Sequence, residues 1–424
     1  MNKTPTKTPP VQRTAKQEEP PVSAGLPLDE AVRLVAAAAN PKGGANPGYR
    51  LMLLGSEQGQ VRLTAGDGTI FAHAWVDASK GPSLAYGCES LCIPAETIDR
   101  IFRSGAAVDG WRISPAANCR DDNDPSAVLL SGGRHKFRLP TTAASLFPFP
   151  PDANRRGKKL AEIPALFTGE DLKRALRRGA FTAGEAVKGW ATDGVLVRWV
   201  GGGLDVTSTN GRRACRSTLR PVEGTGPETL AATQIIPVRS ARFLIAHLRD
   251  EQRYRLDFHD AFLVCAGSDL ELTSASIVGR FPGTIDEIFE RTKVELEFTT
   301  LAGALKHHVD LAVVAVEDGS TLRLTLRPDR LLLSPVSDSE TVVELPLVAT
   351  GPAKQSVCWL DARQLSEALG RLDPHESVDV YFAGPKALFQ VEGADWHYMQ
   401  AAQEPPGLES AKAAAEAAEK GADE

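Results

Sequence analysis

The segment LCIPAETIDRIFRSG, residues 91–105, is the first of three copies of one pattern in this chain of 424 residues. A short apolar strand runs into a proline or an aspartate, and an amphipathic helical pattern follows at once. The other copies are QIIPVRSARFLIAHLRD at 234–250 and VCWLDARQLSEALGRLD at 357–373. Proline and aspartate suit the start of a helix, because the first amides of a helix have no acceptor within it. The pattern therefore predicts a strand followed by a helix at three places.

An earlier helix is predicted ahead of each copy, at residues 27–40, 168–183 and 299–315. In the second of these, Thr168 is a suitable N-cap, and Glu170 and Asp171 fall in the first turn. A pair of strands with a tight turn lies between the two helices each time, and a hairpin follows the second helix. The chain is therefore predicted to consist of three units of one plan, helix–strands–helix–strands.

Phe-Pro steps end the first two units. They occur in HKFRLPTTAASLFPFPPD (135–152) and in SASIVGRFPGTIDEIFE (274–290), and proline cannot continue a strand ladder. The predicted units are residues 26–155, 156–288 and 289–402. Residues 1–25, rich in Pro, Thr and Lys, are expected to be a disordered tail, and residues 403–424 are expected to be an acidic, largely disordered tail.

Composition limits the classes of function. The chain is 42% hydrophobic and 24% charged with a formal net charge of -6, which argues against a protein coated all over in nucleic acid but not against a locally basic channel. No apolar run approaches the roughly 18 residues of a membrane span, and the N-terminus lacks an apolar signal core. We expect a cytoplasmic protein with no membrane partner.

Catalytic and metal motifs are absent from the sequence. GGANPG and GGG lack the Lys-Ser/Thr of a phosphate loop, and neither G-x-S-x-G nor H-E-x-x-H occurs. DDNDP (121–125) lacks the spaced Glu of a calcium loop, and the six cysteines show no second pair at zinc spacing. We expect no catalytic residues, metal or cofactor. A hydrolase whose site has no recognised motif is kept as an alternative hypothesis.

Five stretches, in order along the chain, carry a family resemblance. They are LTAGDGTIFAHAWV (63–76), TSTNGRRAC (207–215), VGRFP (278–282), WLDARQLSEAL (359–369) and WHYMQAA (396–402). With them, residues 26–402 resemble the bacterial DNA sliding clamp, the beta subunit of DNA polymerase III. The resemblance implies an α+β fold of three repeated DNA-clamp units, each with two inner helices and outer antiparallel sheets, closing into a ring as a head-to-tail dimer.

The function that the resemblance implies is a non-catalytic processivity factor. Such a ring encircles duplex DNA and tethers DNA polymerase. The implied partners are double-stranded DNA, DNA polymerase, a clamp loader and other proteins with a clamp-binding motif.

The inner helices would contact DNA through their cations, because Lys and Arg neutralise phosphates without reading sequence. The expected DNA-binding residues are Arg100, Arg103, Lys173, Arg174, Arg177, Arg178, Arg239 and Arg242, with Lys42 and Lys188 in loops. The strongest basic cluster is KRALRR at 173–178. The alternative for each residue is an ordinary solvated helix face.

The resemblance also implies a groove for partner peptides between units two and three. Its residues would be Thr192, Thr209, Gly211, Arg212, Arg213, Pro282 and Met399. Asn210 replaces the family's usual Asp and tolerates the same backbone. Ala214 replaces a larger Leu, which predicts a wider or weaker pocket.

An acidic residue, Asp286 or Glu287, stands where the family has an Arg, which suggests more basic peptides. These departures leave open an alternative function, a divergent clamp-like scaffold with an altered partner-binding groove. For the dimer interface, the resemblance implies that Phe137 of one chain contacts Val313 and Val314 of the other.

Overall fold

The computed structural model describes most of the chain between Gly25 and Gln403. The described residues are 25–40, 42, 44, 46–57, 60–76, 83–84, 90–104, 112–115, 127–148, 159–185, 187, 189–224, 232–283, 285–290, 293–314, 321–336, 341–384 and 388–403. Residues 1–24 and 404–424, which make up nearly all of the two expected tails, lie outside this set, as does the DDNDP segment.

Each unit contains the two predicted helices. The helices are α1 (Leu28–Ala38), α2 (Ala95–Arg103), α3 (Gly169–Gly179), α4 (Val238–His247), α5 (Ile285–Glu290), α6 (Ala302–Val314) and α7 (Ala362–Leu369). Thr168 caps α3, since its Oγ1 accepts from the Asp171 amide at 3.1 Å. Asp361 caps α7 by accepting from the Gln364 amide at 3.1 Å. The short helix α5 connects units two and three, so the predicted boundary between residues 288 and 289 falls inside it.

The strands follow the predicted order. They are β1 (Leu51–Glu57), β2 (Gln60–Gly66), β3 (Ile70–Val76), β4 (Ser83–Leu84), β5 (Ser90–Pro94), β6 (Arg112–Pro115), β7 (Ala127–Gly132), β8 (His135–Pro140), β9 (Lys159–Thr168), β10 (Gly194–Val200), β11 (Gly203–Thr209), β12 (Arg213–Leu219), β13 (Ala232–Pro237), β14 (Arg253–His259), β15 (Phe262–Ala266), β16 (Leu270–Ala275), β17 (Leu296–Leu301), β18 (Thr321–Arg327), β19 (Arg330–Pro335), β20 (Val343–Pro346), β21 (Ser356–Asp361), β22 (Ser377–Phe382), β23 (Leu388–Glu392) and β24 (Trp396–Ala401). The sheets are antiparallel as predicted, with one exception: β4 pairs in parallel with β6.

Two eight-stranded sheets cross the unit boundaries. Their orders are β5-β1-β2-β3-β16-β15-β14-β9 and β13-β10-β11-β12-β24-β23-β22-β17. In the first, β3 of unit one pairs with β16 of unit two, with Ala72 opposite Leu272. In the second, β12 of unit two pairs with β24 of unit three, with Cys215 opposite Tyr398. Each pair of neighbouring units therefore shares one continuous sheet.

Two half-sheets remain in the described part of the chain, one in unit one and one in unit three. Their orders are β4-β6-β7-β8 and β20-β19-β18-β21. In this plan β8 holds the place of β16 and β24, and β20 holds that of β3 and β12. The chain thus forms the same strand-to-strand junction twice, and the two halves of a third junction end in the edge strands β8 and β20.

The first helix of each unit packs its apolar face on a sheet at equivalent positions. Leu172 and Leu176 of α3 correspond to Leu305 and Val309 of α6, counted from the helix starts, and all four are buried. Replacing such a leucine by alanine typically destabilises a protein by about 2–5 kcal/mol. Among the described residues, no helix has the length and apolar character needed to cross a membrane.

Candidate functional site

A cavity of about 180 Å³ lies where β12, β24 and the segment entering α5 meet. We call it the groove. Its lining residues are Thr209, Gly211, Arg212, Arg213, Ala214, Pro282, Ile285, Leu388, Met399 and Ala401. Six of the seven residues expected from the resemblance are therefore brought together. Sequence reasoning missed Ile285, Leu388 and Ala401. The predicted terminal hairpin could have indicated the last two, because Leu388 pairs with Ala401 in it.

A tight turn at one end of the groove is fixed by its own side chains. Asn210 Oδ1 accepts from the amides of Arg212 and Arg213 at 3.0 and 2.9 Å. Thr209 Oγ1 donates to the Arg213 carbonyl at 2.8 Å, and Gly211 has a φ of 85° that favours glycine. Asn210 thus supports the turn that the usual Asp would make.

Thr192, the seventh expected residue, does not line the groove. It is buried, and its Oγ1 donates to the Glu185 carbonyl at 2.6 Å and accepts from the Val187 amide at 3.1 Å. Its role in this structure is to hold the loop that follows α3.

Ala214 lines the groove beside the residues of α5. Ile285 and Phe289 of α5 pack with Ala214 and Met399 in one buried cluster. Ile285 also lines the groove, so α5 forms one of its walls.

Asp286, one of the two acidic residues expected to favour basic peptides, is neutralised within the protein. Its carboxylate accepts from Arg198 at 2.6 and 3.0 Å and also pairs with Arg216. The hydrogen bond from Arg198 holds the pKa of Asp286 below its usual range. Arg216 also stacks on Phe289, with the guanidinium carbon 4.6 Å from the ring centroid. These contacts fasten α5 to β10 and β12.

Arg213 is engaged at the boundary of units two and three. Its Nη1 donates to Glu367 Oε2 at 2.7 Å, and Glu367 Oε1 also accepts from Arg371 at 3.1 Å. The Phe181 ring contacts both guanidiniums, at 5.5 Å for Arg213 and 5.3 Å for Arg371.

A second cavity, of about 270 Å³, lies between α3, α4 and α7, and we call it the inner cleft. Its lining residues are Leu176, Arg177, Ala180, Phe181, Val238, Arg242, Ile245, Glu367 and Arg371. It brings together two of the expected DNA-binding residues, Arg177 and Arg242, which are both exposed. Arg371, which follows α7, also lines this cleft.

The other expected DNA-binding residues lie at the helix surface or in loops. Arg100 and Lys42 are exposed. Four more pair with carboxylates: Arg103 with Asp99, Lys173 with Asp250, Arg174 with Asp171, and Arg239 with Asp67. The pairs of Arg103 and Arg174 are partly exposed and contribute only about 0–1 kcal/mol, so a phosphate can compete with them. The Asp67 side chain that pairs with Arg239 is 1% exposed. Lys188 lies outside the described residues.

Arg178 is placed differently from its neighbours in KRALRR, which corrects its assignment to DNA. It is 6% exposed and donates to Asp395 at 2.5 Å and to Glu376 at 2.6 Å. Its carbonyl accepts from the Trp396 indole at 3.1 Å. Because both carboxylates belong to unit three, Arg178 joins the two units and is not available to a ligand.

The three residues expected at the dimer interface lie at the two open half-sheets. Phe137 is on the edge strand β8, and Val313 and Val314 end α6. Val314 is 84% exposed, and Leu311, one turn earlier, is 47% exposed. These apolar side chains lie beside the half of the third junction that unit three provides.

Comparison with solved structures gives the fold. The DNA polymerase III subunit beta from Pseudomonas aeruginosa superposes with a TM-score of 0.74 and 17% identity, covering 89% of this chain and 97% of that one. The sliding clamp from Bacillus subtilis gives 0.72 at 16% identity with the same coverage. The beta subunit from Thermotoga maritima gives 0.69 at 14%, again with the same coverage. No family model matches the chain, and no curated protein matches it in sequence. The chain therefore has the sliding-clamp fold.

Proposed function

We propose that this chain is a DNA sliding clamp. Two copies form a ring around duplex DNA and tether DNA polymerase and other partners as a processivity factor, without catalysis of their own. The observation that carries the proposal is the repeated junction: the chain forms it at β3–β16 and β12–β24, and has its two halves, β8 and β20, at open edges.

Ring closure would repeat the register of the internal junctions. Tyr398 and Leu272 each lie two residues after the first residue of their strand, and Phe137 does so in β8. Their partners in the neighbouring strand are Cys215 and Ala72. The equivalent position in unit three is Thr341, which is reached by extending the β19–β20 pairing two residues beyond Leu333 and Val343. Phe137 would then face Thr341 of the second copy. Each copy offers both edges, so two identical contacts close a dimer.

DNA would be held by exposed cations of the helices. Arg100, Arg177 and Arg242 are exposed on α2, α3 and α4, and Arg371 follows α7. Contacts from such side chains to phosphates carry no sequence information and weaken with salt, which permits a ring to slide. The acidic net charge of the whole chain keeps this attraction local to the basic face.

Partner proteins would bind at the groove through short peptide segments. Its wall is apolar, with Ala214, Ile285, Leu388 and Met399, and its rim carries arginine. This combination suits an extended peptide whose apolar side chain is buried while polar groups set its orientation.

A test of ring topology does not require a clamp loader. The purified protein is dissociated in mild denaturant and returned to buffer in the presence of a nicked circular plasmid, so that dimers close around the DNA. We expect the protein to stay on the circle at moderate salt and to be released when a restriction enzyme cuts the plasmid. Equal retention before and after the cut would contradict the proposal.

The second candidate is a clamp-like scaffold with an altered partner-binding groove. It is favoured by α5, whose Ile285 lines the groove and whose Asp286 replaces an expected cation. This candidate predicts a ring that closes on DNA but does not recruit a polymerase. A primer-extension assay that compares product length with and without the clamp separates the two.

A further inference from the structure

The charged residues that line the groove are both arginines. Arg213 is already engaged, because its guanidinium donates to Glu367 and lies over Phe181. Arg212 is exposed, and in the described part of the chain its side chain forms no ion pair. Two hydrogen bonds hold its backbone. The Arg212 amide donates to Asn210 Oδ1, and the Ala401 amide donates to the Arg212 carbonyl at 2.8 Å. A fixed backbone thus presents one uncompensated positive charge at the groove.

The acidic residue nearest in sequence to the groove wall does not cancel this charge. Asp286 is bound by Arg198 and Arg216, and Asp205 also pairs with Arg198 at 3.4 Å. That cluster holds two arginines and two aspartates, so its formal charge is zero. Of the two arginines that line the groove, Arg212 is therefore the one whose side chain has no ion pair in the described part of the chain.

The size of the groove limits what it can bury. A cavity of about 150 Å³ is large enough for a benzene molecule, and the groove measures about 180 Å³. Ile285 contributes to this limit, because it fills the space beside Ala214. One bulky apolar side chain fits, whereas a drug-sized ligand usually occupies about 300 Å³ or more.

We propose that the groove selects extended peptides that carry one bulky apolar side chain and, beside it, a carboxylate that pairs with Arg212. Asp286 supports this selection as a positioning residue, since its ion pairs hold α5 as the wall. The inference rests on the proposed function and specifies the chemistry of the partner segment.

The test uses the full chain and the peptide Gly-Ser-Asp-Phe-Ser-Gly, with 4-fluorophenylalanine as its aromatic residue. Two matched peptides replace Asp by Asn or Lys. Titration followed by fluorine NMR detects weak binding. We expect the Asp peptide to bind about three- to tenfold more tightly than the Asn peptide, as for a partly exposed charge-assisted pair, and the Lys peptide to bind least.

Two variants assign the effect to Arg212. In Arg212→Gln the three peptides should bind within about twofold of one another. In Arg323→Gln, an exposed arginine on β18 outside the groove, the preference for Asp should persist. Size-exclusion profiles of both variants should match that of the unaltered chain.

Three results would overturn the inference: a Lys peptide that binds as well as the Asp peptide, an Asp preference that survives in Arg212→Gln, or no binding by any of the peptides. Release from a cut plasmid is measured separately, so a clamp that closes on DNA and ignores these peptides would disprove only the groove chemistry.

Discussion

The Phe181 ring stacks on the Tyr398 ring across the junction of units two and three, with centroids 6.0 Å apart and planes inclined by 23°. Phe181 lies twelve residues after the start of α3, and Val314 lies twelve residues after the start of α6. Tyr398 corresponds in the same way to Phe137 of β8. Val314 and Phe137 therefore occupy the positions whose counterparts, Phe181 and Tyr398, already form a contact within the chain.

Val314→Lys should separate the dimer without unfolding the single chain. Val314 is 84% exposed in one chain, so the substitution costs little there. In the ring it would place an ammonium against Phe137, at a cost of several kcal/mol for each interface. Light scattering after size exclusion should report a monomer at concentrations where the unaltered chain is a dimer.

Val222→Lys is the matched control, because Val222 is 50% exposed and lies away from both open edges. It should remain dimeric. A dimer that persists in Val314→Lys would exclude the proposed contact.

Arg178→Gln should destabilise the boundary of units two and three. It removes the cationic partner of Glu376 and leaves Asp395 with only Arg174, at 3.9 Å, in a site where Arg178 is nearly buried. Breaking one side of such a pair typically costs about 3–5 kcal/mol. Urea unfolding should show a lower midpoint, whereas Arg174→Gln, whose pair with Asp171 is partly exposed, should lose less than about 1 kcal/mol.

The double variant Arg177→Gln/Arg242→Gln should weaken binding to DNA of any sequence. Both side chains line the inner cleft. Each phosphate contact contributes close to one unit to the slope of log K against log salt, so the slope should become shallower by about two. Fluorescence anisotropy at several salt concentrations measures it. The pair Arg323→Gln/Arg330→Gln, on the half-sheet of unit three, should leave the slope unchanged.

Stability should fall as the pH is lowered from about 6.5 to about 4, through His397. Burial first, and the charge of Arg216 second, lower the pKa of His397 to about 4. The unfolded chain, with a histidine pKa of about 6.5, therefore binds more protons in this window, and unfolding becomes easier as the pH falls. The loss is about 2–3 kcal/mol. Urea midpoints should drop less in His397→Gln, and an equal drop in both proteins would rule out this histidine as the cause.

Local sequence patterns predicted the elements of the fold but not how the units join. The caps Thr168 and Asp361 depend on neighbours in sequence, and both are found in the structure. The pairing of β3 with β16 joins strands about two hundred residues apart, and alternation identifies a strand without naming its partner.

The same limit explains the site residues that were misjudged. A run such as KRALRR shows cations on a helix, yet only the packed structure shows that Arg178 meets Glu376 and Asp395 while Arg177 stays exposed. Asp286 was interpreted as a free charge because its partners, Arg198 and Arg216, are 88 and 70 residues away in sequence.

A closed ring that is loaded onto circular DNA must open at one junction before the others. Each of the two junctions inside the chain pairs five residues of one strand with five of another, and the chain also runs covalently from one unit to the next. A junction between two copies has no covalent link. The junction between the two copies would thus open first, so that DNA can enter there while the junctions within each chain stay closed.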